Sequence, residues 1–438
     1  MKDIDYTGWR FGPVWLNRDV SRIHLAAFLY ASLVTIGLLT FVNVVQNYML
    51  REVLLLKEGE FGEITGLLTV LAEITIICTV GLFGLLCDRI GRRPVYAFGL
   101  LLMGLSYVFY PLATTLAGLI ACRVIYAGGV AAATGMLGTV TNDYPQEVSR
   151  GKMIAMSGIL LAIGAILFNF IYGQLPVLFV EMGEDALSAG RDTAWLVAGM
   201  CLISAILVGI GLKPGAESEE RHSFRELAKV GIREGAKPRT ALAYMSAFVA
   251  RSDLVIIGAF TTLWPVAVGE QLGYSTPEST LRGTQLFIAA QLGGLIWAPI
   301  MGLVIDRVNR VSAMSFGALV SALAFAMTAF VDNPFDNAYL PIFLFLGVGQ
   351  ISICYASQAL IGQEAPPAQR GTVIGVFATF GAIGILFFSG VGGALFDAIA
   401  PWAVFVFVGI GAFIIFLVSL CVRIKHPGPM PGDIKVRG

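Results

Sequence analysis

The sequence has few of the residues from which soluble catalytic sites and nucleic-acid interfaces are built. Charged residues make up 13% of the chain, against about 25% in an ordinary soluble protein. The net charge is zero, so no basic surface for nucleic acid is indicated. The three histidines lie in polar flanks, which disfavours a histidine metal site. The six cysteines lack Cys-x-x-Cys spacing and are expected to be small packing residues. We therefore expect no cofactor and no metal.

Long hydrophobic runs are abundant instead. Apolar residues make up 57% of the chain, and about twelve runs reach the roughly 20 residues that a bilayer core requires. We predict an all-α membrane protein. The predicted segments are an N-terminal segment 1–23, a six-helix bundle 24–212, a linker 213–239, a second six-helix bundle 240–422 and a tail 423–438.

Two stretches half a chain apart are nearly the same. Gly-Leu-Leu-Cys-Asp-Arg-Ile-Gly-Arg-Arg at Gly84–Arg93 and Gly-Leu-Val-Ile-Asp-Arg-Val-Asn-Arg at Gly302–Arg310 each join two apolar runs. A polar turn of this kind is expected to be a tight loop in water. Its recurrence indicates a duplicated unit.

The basic residues orient the chain. With both termini in the cytoplasm, most of the 29 Lys and Arg fall on the cytoplasmic side, as the positive-inside rule requires. From Ser223 the linker is predicted to form a short amphipathic helix on the membrane surface; a solvated linker is the alternative.

A second motif also recurs. Asp143-Tyr-Pro-Gln-Glu-Val-Ser-Arg-Gly follows the fourth run and Glu364-Ala-Pro-Pro-Ala-Gln-Arg-Gly follows the tenth. With both motifs in both halves, the chain resembles the major facilitator superfamily, whose folds contain such repeats. The resemblance implies two six-helix bundles that transport a solute by alternating access.

The resemblance also implies a cytoplasmic gate. Asp88 would lie against the start of span eleven near Arg370, and Asp306 against the start of span five near Arg150, because a helix N-terminus favours a carboxylate. The alternative is that these charges only solvate loops and set topology. The second copy has Asn309 and Val311 where the first has Gly91 and Arg93, and its gate is expected to be weaker. The gate residues predicted are Asp88, Arg92, Arg150, Asp306, Arg310, Glu364 and Arg370, with Glu147 as an extension of the pairs.

Charges inside the spans are costly unless they are paired or hydrated. Arg123, in Cys-Arg-Val-Ile-Tyr-Ala-Gly-Gly, resembles the Arg-x-x-x-x-Gly element of proton-coupled members of the family. An ion pair with Glu73 is its structural alternative. Glu73 itself is either a proton-binding site or a structural residue that connects two helices.

Arg251 and Asp253 cannot share a helix face, since two residues correspond to roughly 200°. The repeat maps Asp253, Thr261 and Trp264 onto Thr35, Asn43 and Gln46, a polar stripe at helical spacing. We therefore expect Asp253 to face the cavity and Arg251 to face a neighbouring helix. The proton-coupling candidates are Asp253, Glu73 and Arg251. The substrate-binding candidates are Arg123, Asn43, Gln46, Tyr126, Trp264, Gln291, Gln350, Tyr355 and Gln358.

These features predict a proton-coupled secondary transporter, a monomer in the bacterial inner membrane, for a small organic solute that is anionic or zwitterionic. Sodium is the alternative coupling ion. An exporter of amphipathic cations, drugs or lipids is the alternative function. A membrane enzyme is disfavoured because no His/Asp or metal-ligand cluster is present, and a channel because no filter loop is present.

Overall fold

A computed structural model of the chain describes residues 8–56, 60–146, 149–214, 233–365 and 370–428. An N-terminal hairpin of two short strands, β1 (Trp9–Phe11) and β2 (Val14–Leu16), precedes the helices. The helices are α1 (Arg22–Thr40), α2 (Val42–Glu52), α3 (Phe61–Ile90), α4 (Arg92–Phe109), α5 (Leu116–Asp143), α6 (Arg150–Glu181), α7 (Ala186–Gly211), α8 (Pro238–Val268), α9 (Thr276–Arg307), α10 (Arg310–Ala326), α11 (Leu340–Glu364), α12 (Arg370–Ala398) and α13 (Ala403–Lys425).

Within the described ranges, twelve helical segments are long and apolar enough to cross a membrane. This confirms the predicted all-α membrane fold with twelve spans. The predicted surface helix that begins at Ser223 falls outside the described residues.

The first span is two helices rather than one. α1 ends at Thr40 and α2 begins at Val42. The Thr40 hydroxyl donates to the backbone oxygen of Ile36 at 3.0 Å and to that of Gly37 at 3.3 Å. Such bonds compete with the helical ladder and bend helices. The break at Phe41 places Asn43 and Gln46 in the first turns of a new helix.

The Asp-Arg residues of the repeated motif are helical rather than part of a loop, and the connection after them in the first copy is tight. α3 continues through Asp88 to Ile90, and one residue, Gly91, joins it to α4. Gly91 has φ of 92°, a backbone conformation that favours glycine. Asn309 in the second copy turns differently: its side-chain oxygen accepts from Val311 N at 2.9 Å and caps α10.

Helix pairing follows the duplication. α4 packs on α5 and α7, and α10 packs in the same way on α11 and α13. α1 packs on α6, and α8 on α12. These pairs approach closely at glycine, because a Cβ at Gly164 would collide with Leu33 O and one at Gly384 with Phe248 O. Small residues allow this separation in membrane bundles.

The described helices group into two compact units. One contains residues 1–56, 71–219 and 269–284, and the other contains residues 57–70, 220–268 and 285–438. In the second unit the first turn of α3 lies on the last turn of α12. There the Asp397 carboxylate accepts from Gly62 N at 2.8 Å and from Glu63 N at 2.7 Å. A carboxylate therefore caps the N-terminus of α3.

Residues 8–20 form an N-terminal strap, which the sequence did not predict. β1 and β2 pair antiparallel, and the strap docks on the segment between α5 and α6. Trp15 N donates to Ser149 Oγ at 2.9 Å, and Gln146 N donates to Trp15 O at 2.9 Å. Leu16 is fully buried. The strap thus adds a small packed layer at one end of the first unit.

An ion pair ties this strap to the end of α7. Asp19 pairs with Lys213, and Lys213 N donates to the Tyr144 hydroxyl at 2.9 Å. The bond from the Lys213 ammonium lowers the pKa of Asp19, while burial raises the pKa of Tyr144 to about 12. Because the pKa of Asp19 is depressed, the pair stabilises the strap at neutral pH and this contribution is lost as the pH falls through that pKa.

Candidate functional site

A buried arginine is the centre of the candidate site. Arg123 projects from α5 and is 6% exposed. Its Nη2 donates to Asn43 Oδ1 of α2 at 3.4 Å, and its Cζ lies 5.6 Å from the centre of the Tyr126 ring. The Tyr126 hydroxyl donates to Leu39 O at 2.6 Å. Four sequence predictions, Arg123, Asn43, Gln46 and Tyr126, therefore fall in one unit around one guanidinium.

The guanidinium is incompletely satisfied. Arg123 Nε and Nη1 are buried and have no hydrogen-bond partner among the described residues. Gln46, which is fully buried, accepts from the Tyr110 hydroxyl at 3.3 Å, while its Nε2 also lacks a described partner. Buried donors without acceptors are costly. A cluster of unpaired N–H donors around a cation is suited to an anionic group.

Tyr110 belongs to this cluster and was missed by the sequence analysis. It ends the third span in a short 3₁₀ turn, Tyr110–Leu112, and is fully buried. Its hydroxyl is the described hydrogen-bond partner of the Gln46 side chain. The available signal was a tyrosine before a proline at the end of an apolar run, which is too common to single out.

Glu73 does not neutralise Arg123. It is 8% exposed within α3, but the ion pairs between described residues do not include one between Glu73 and Arg123. The ion pair considered as the structural alternative for Arg123 is therefore not observed among the described residues.

Asp253 lies against a neighbouring helix, whereas Arg251 both contacts a neighbouring helix, as expected, and is exposed. Asp253 is fully buried in α8, where its Oδ2 accepts from Ser321 Oγ of α10 at 3.3 Å. Its Oδ1 has no partner in the described part of the chain. Arg251 is exposed, and its stem packs against Gly381 of α12. The polar stripe misled the prediction for Asp253, because this residue contacts the neighbouring helix α10.

The remaining candidates of the second half do not form a comparable cluster. Trp264 is 3% exposed and lies between Phe343, with ring centres 6.0 Å apart, and Phe405, at 5.9 Å. These surroundings are those of a packing residue, not of an open pocket. Gln350 is buried, Gln291 is half-buried, and Tyr355 and Gln358 are exposed.

The repeated end motifs form ion pairs within each half. Arg92 Nε lies 3.0 Å from Asp143 Oδ2, so the first motif contacts the second. Glu364 Oε2 lies 3.1 Å from Arg239 Nε at the start of α8, a partner the sequence did not suggest. Arg310 donates to Ile305 O at the end of α9. The side chains of Asp88, Arg150, Asp306 and Arg370, and all of Glu147, lie outside the described part.

A family model and several known proteins match the sequence over most of its length. The family model described as Major Facilitator Superfamily matches residues 25–389 and 253–438. Magnetosome protein MamH of Paramagnetospirillum magneticum is 29% identical over 407 residues, which are 91% of this chain and 92% of that protein. Magnetosome protein MamZ of the same organism is 26% identical, and the match spans 85% of this chain but only 58% of MamZ.

Two further proteins extend the comparison. Tetracycline resistance protein, class E, of Escherichia coli is 25% identical over 87% of this chain and 89% of its own length. Among solved structures, the nucleoside transporter NupG superposes with a TM-score of 0.72 at 14% identity, over 92% of this chain and 99% of NupG. At that identity the likeness concerns the fold.

Proposed function

Because the chain belongs to the major facilitator superfamily, we propose that it is a proton-coupled secondary transporter that moves a small organic anion or zwitterion by alternating access. The family and its transporter neighbours establish the general class, a multi-pass membrane transporter. The coupling ion, the substrate charge and the transport cycle are the proposed part.

The proposed substrate class rests on the guanidinium of Arg123, which forms no ion pair with a described residue. Two of its nitrogens are buried without partners among the described residues, and the ion pairs described place no carboxylate on it. A carboxylate or phosphate of a substrate would supply the missing acceptors and could bind two nitrogens of the planar group at once. Asn43 and Gln46 would then contact the same ligand from α2.

The observation that favours proton coupling is the burial of Asp253. A carboxyl group that is fully buried and contacts only a hydroxyl among the described residues costs less to bury in its protonated form. If α8 and α10 separate during transport, water would reach Asp253 and the proton could leave. Sodium remains the alternative ion, because a carboxylate can also hold a metal cation.

An exporter of amphipathic cations, drugs or lipids is the second candidate. The buried carboxyl of Glu73 and the similarity to a tetracycline resistance protein favour it. In that case the cation would bind near Glu73 and Arg123 would be structural. The two candidate functions differ in the ligand they predict: the first predicts an anion or zwitterion, and the second predicts a cation.

We further propose that both termini are cytoplasmic and that the protein resides in the bacterial inner membrane. The basic residues favour this orientation. Because two relatives are named magnetosome proteins, a magnetosome is the alternative location. Fractionation of cells that produce the tagged protein distinguishes the two.

The direct test of function is transport into liposomes. Purified protein should accumulate, without ATP, the organic anion that most raises its thermal stability in a panel of carboxylates and phosphate esters. Accumulation should follow an imposed pH gradient and collapse when a protonophore is added. Accumulation that ignores the protonophore but requires a sodium gradient would refute proton coupling.

The carboxylates of the proposed cytoplasmic gate, Asp88 and Asp306, are expected to cap helix N-termini. Asp397 caps the N-terminus of α3 in this way. Asp88→Asn should shift the population several-fold toward the state open to the cytoplasm, since such a contact is worth about 0.3–2 kcal/mol. Asp306→Asn should do less, because Asn309 makes its motif less complete. Labelling of a cysteine introduced at Gln358 measures the shift. Equal labelling of the wild-type protein and both variants would contradict the gate. Asp88 and Asp306 would then serve only to set the orientation of the chain in the membrane.

A further inference from the structure

A groove on the outside of the first unit combines apolar walls with one arginine. The proposed transport of a solute does not require this combination. It has a volume of about 530 Å³ and lies where the start of α4 meets the end of α7. Most of its walls are apolar, with Phe98 45% and Leu101 44% exposed. Its apolar residues include Ile90, Pro94, Ala97, Phe98 and Leu101.

Arg93 forms the polar end of this groove. Its Nε donates to Gly209 O, which fixes the guanidinium between α4 and α7. Arg93 is half-buried, and the ion pairs between described residues give it no carboxylate. The neighbouring Arg92 differs in this respect, because it is paired with Asp143. Arg93 therefore presents an uncompensated positive charge at the end of an apolar surface.

The depth of the groove suits one leaflet of a bilayer. Arg93 lies in the first turn of a membrane span, and Leu101 follows about 12 Å further along the helix at 1.5 Å per residue. One leaflet provides roughly half of the ~30 Å hydrocarbon core. A phosphate at Arg93 would therefore leave an acyl chain alongside Phe98 and Leu101.

The second half of the chain lacks this arrangement. Val311 occupies the position equivalent to Arg93 and is 1% exposed. The second half therefore folds without a basic residue at this position, and Arg93 is specific to the first half.

We propose that this groove binds an anionic phospholipid, with its phosphate on Arg93 and one acyl chain along α4. Basic pockets between membrane helices commonly hold lipid phosphates. The bound lipid would bridge α4 and α7 next to Pro214, which follows the end of α7. Free phosphate would not suffice, because it cannot fill the apolar part of the groove.

Lipid retention tests the proposal. Delipidated full-length protein in detergent is titrated with phosphatidylglycerol or phosphatidylcholine, and bound lipid is counted by native mass spectrometry. Wild-type protein should bind phosphatidylglycerol more tightly. Arg93→Gln should weaken that binding about fivefold, since one basic residue near a lipid surface contributes roughly 1 kcal/mol, and should not change phosphatidylcholine binding.

Two variants serve as comparisons. Arg89→Gln removes an exposed arginine from the last turn of α3 and should leave lipid binding unchanged. Ala97→Phe keeps the charge but fills the groove, so it should weaken both lipids. Inorganic phosphate at millimolar concentration should not displace phosphatidylglycerol. Equal affinity for the two lipids in wild-type protein, or equal losses in Arg93→Gln and Arg89→Gln, would overturn the proposal.

Discussion

Arg123→Lys should weaken binding of an organic anion by about tenfold or more, which corresponds to at least ~1.4 kcal/mol. Lysine keeps the charge but replaces the planar group with a point charge that cannot offer two parallel donors. Arg123→Ala should weaken binding by about a hundredfold, because it leaves the buried anion without a countercharge. Calorimetry with the anion that most stabilises the wild-type protein measures both losses.

The chain offers a matched control for this experiment. Arg191 also lies over an aromatic ring, with its Cζ 5.0 Å from the centre of the Trp195 ring, but its side chain is 39% exposed. Arg191→Lys makes the same chemical change at the surface and should not alter anion binding. If Arg123→Ala binds the anion as tightly as wild-type protein, Arg123 is a structural residue and the cationic-substrate alternative becomes the better one.

The sequence was sufficient for the fold because membrane spans depend on composition over about 20 residues, not on single contacts. The duplicated motifs then indicated the family. Because hydropathy is averaged over a whole run, the sequence did not show the helix break at Phe41 or the helical state of the Asp-Arg motif. A helix break at one residue, or a turn made by one glycine, leaves the hydropathy of a run unchanged.

Part of the site could also be predicted. Asn43, Gln46 and Arg123 were identified as polar residues in otherwise apolar runs, and the structure places them together. Tyr110 and the orientation of Asp253 could not be found in this way. Helical periodicity shows which residues share a face, but it does not show whether that face meets water or another helix. Ser321, whose hydroxyl donates to Asp253, lies on α10, far away in sequence.

Asp253→Asn should abolish accumulation driven by a pH gradient and leave exchange of substrate across the liposome membrane measurable. Asparagine has the size of the protonated acid and can keep the contact with Ser321, but it cannot release a proton. Exchange needs only the binding and reorientation steps, whereas accumulation needs the proton to bind on one side and leave on the other. Parallel measurement of both rates in one preparation separates these requirements.

The repeat supplies a further variant for the same assay. The position equivalent to Asp253 in the first half is Thr35, which is also fully buried and whose hydroxyl lies 2.6 Å from that of Tyr96. Asp253→Thr should therefore fold and lose accumulation in the same way, and Asp253→Glu, which retains a titratable group, should keep part of it. If Asp253→Asn accumulates substrate normally while Glu73→Gln does not, the proton is carried in the first half. Asp253 would then be a packing residue between α8 and α10.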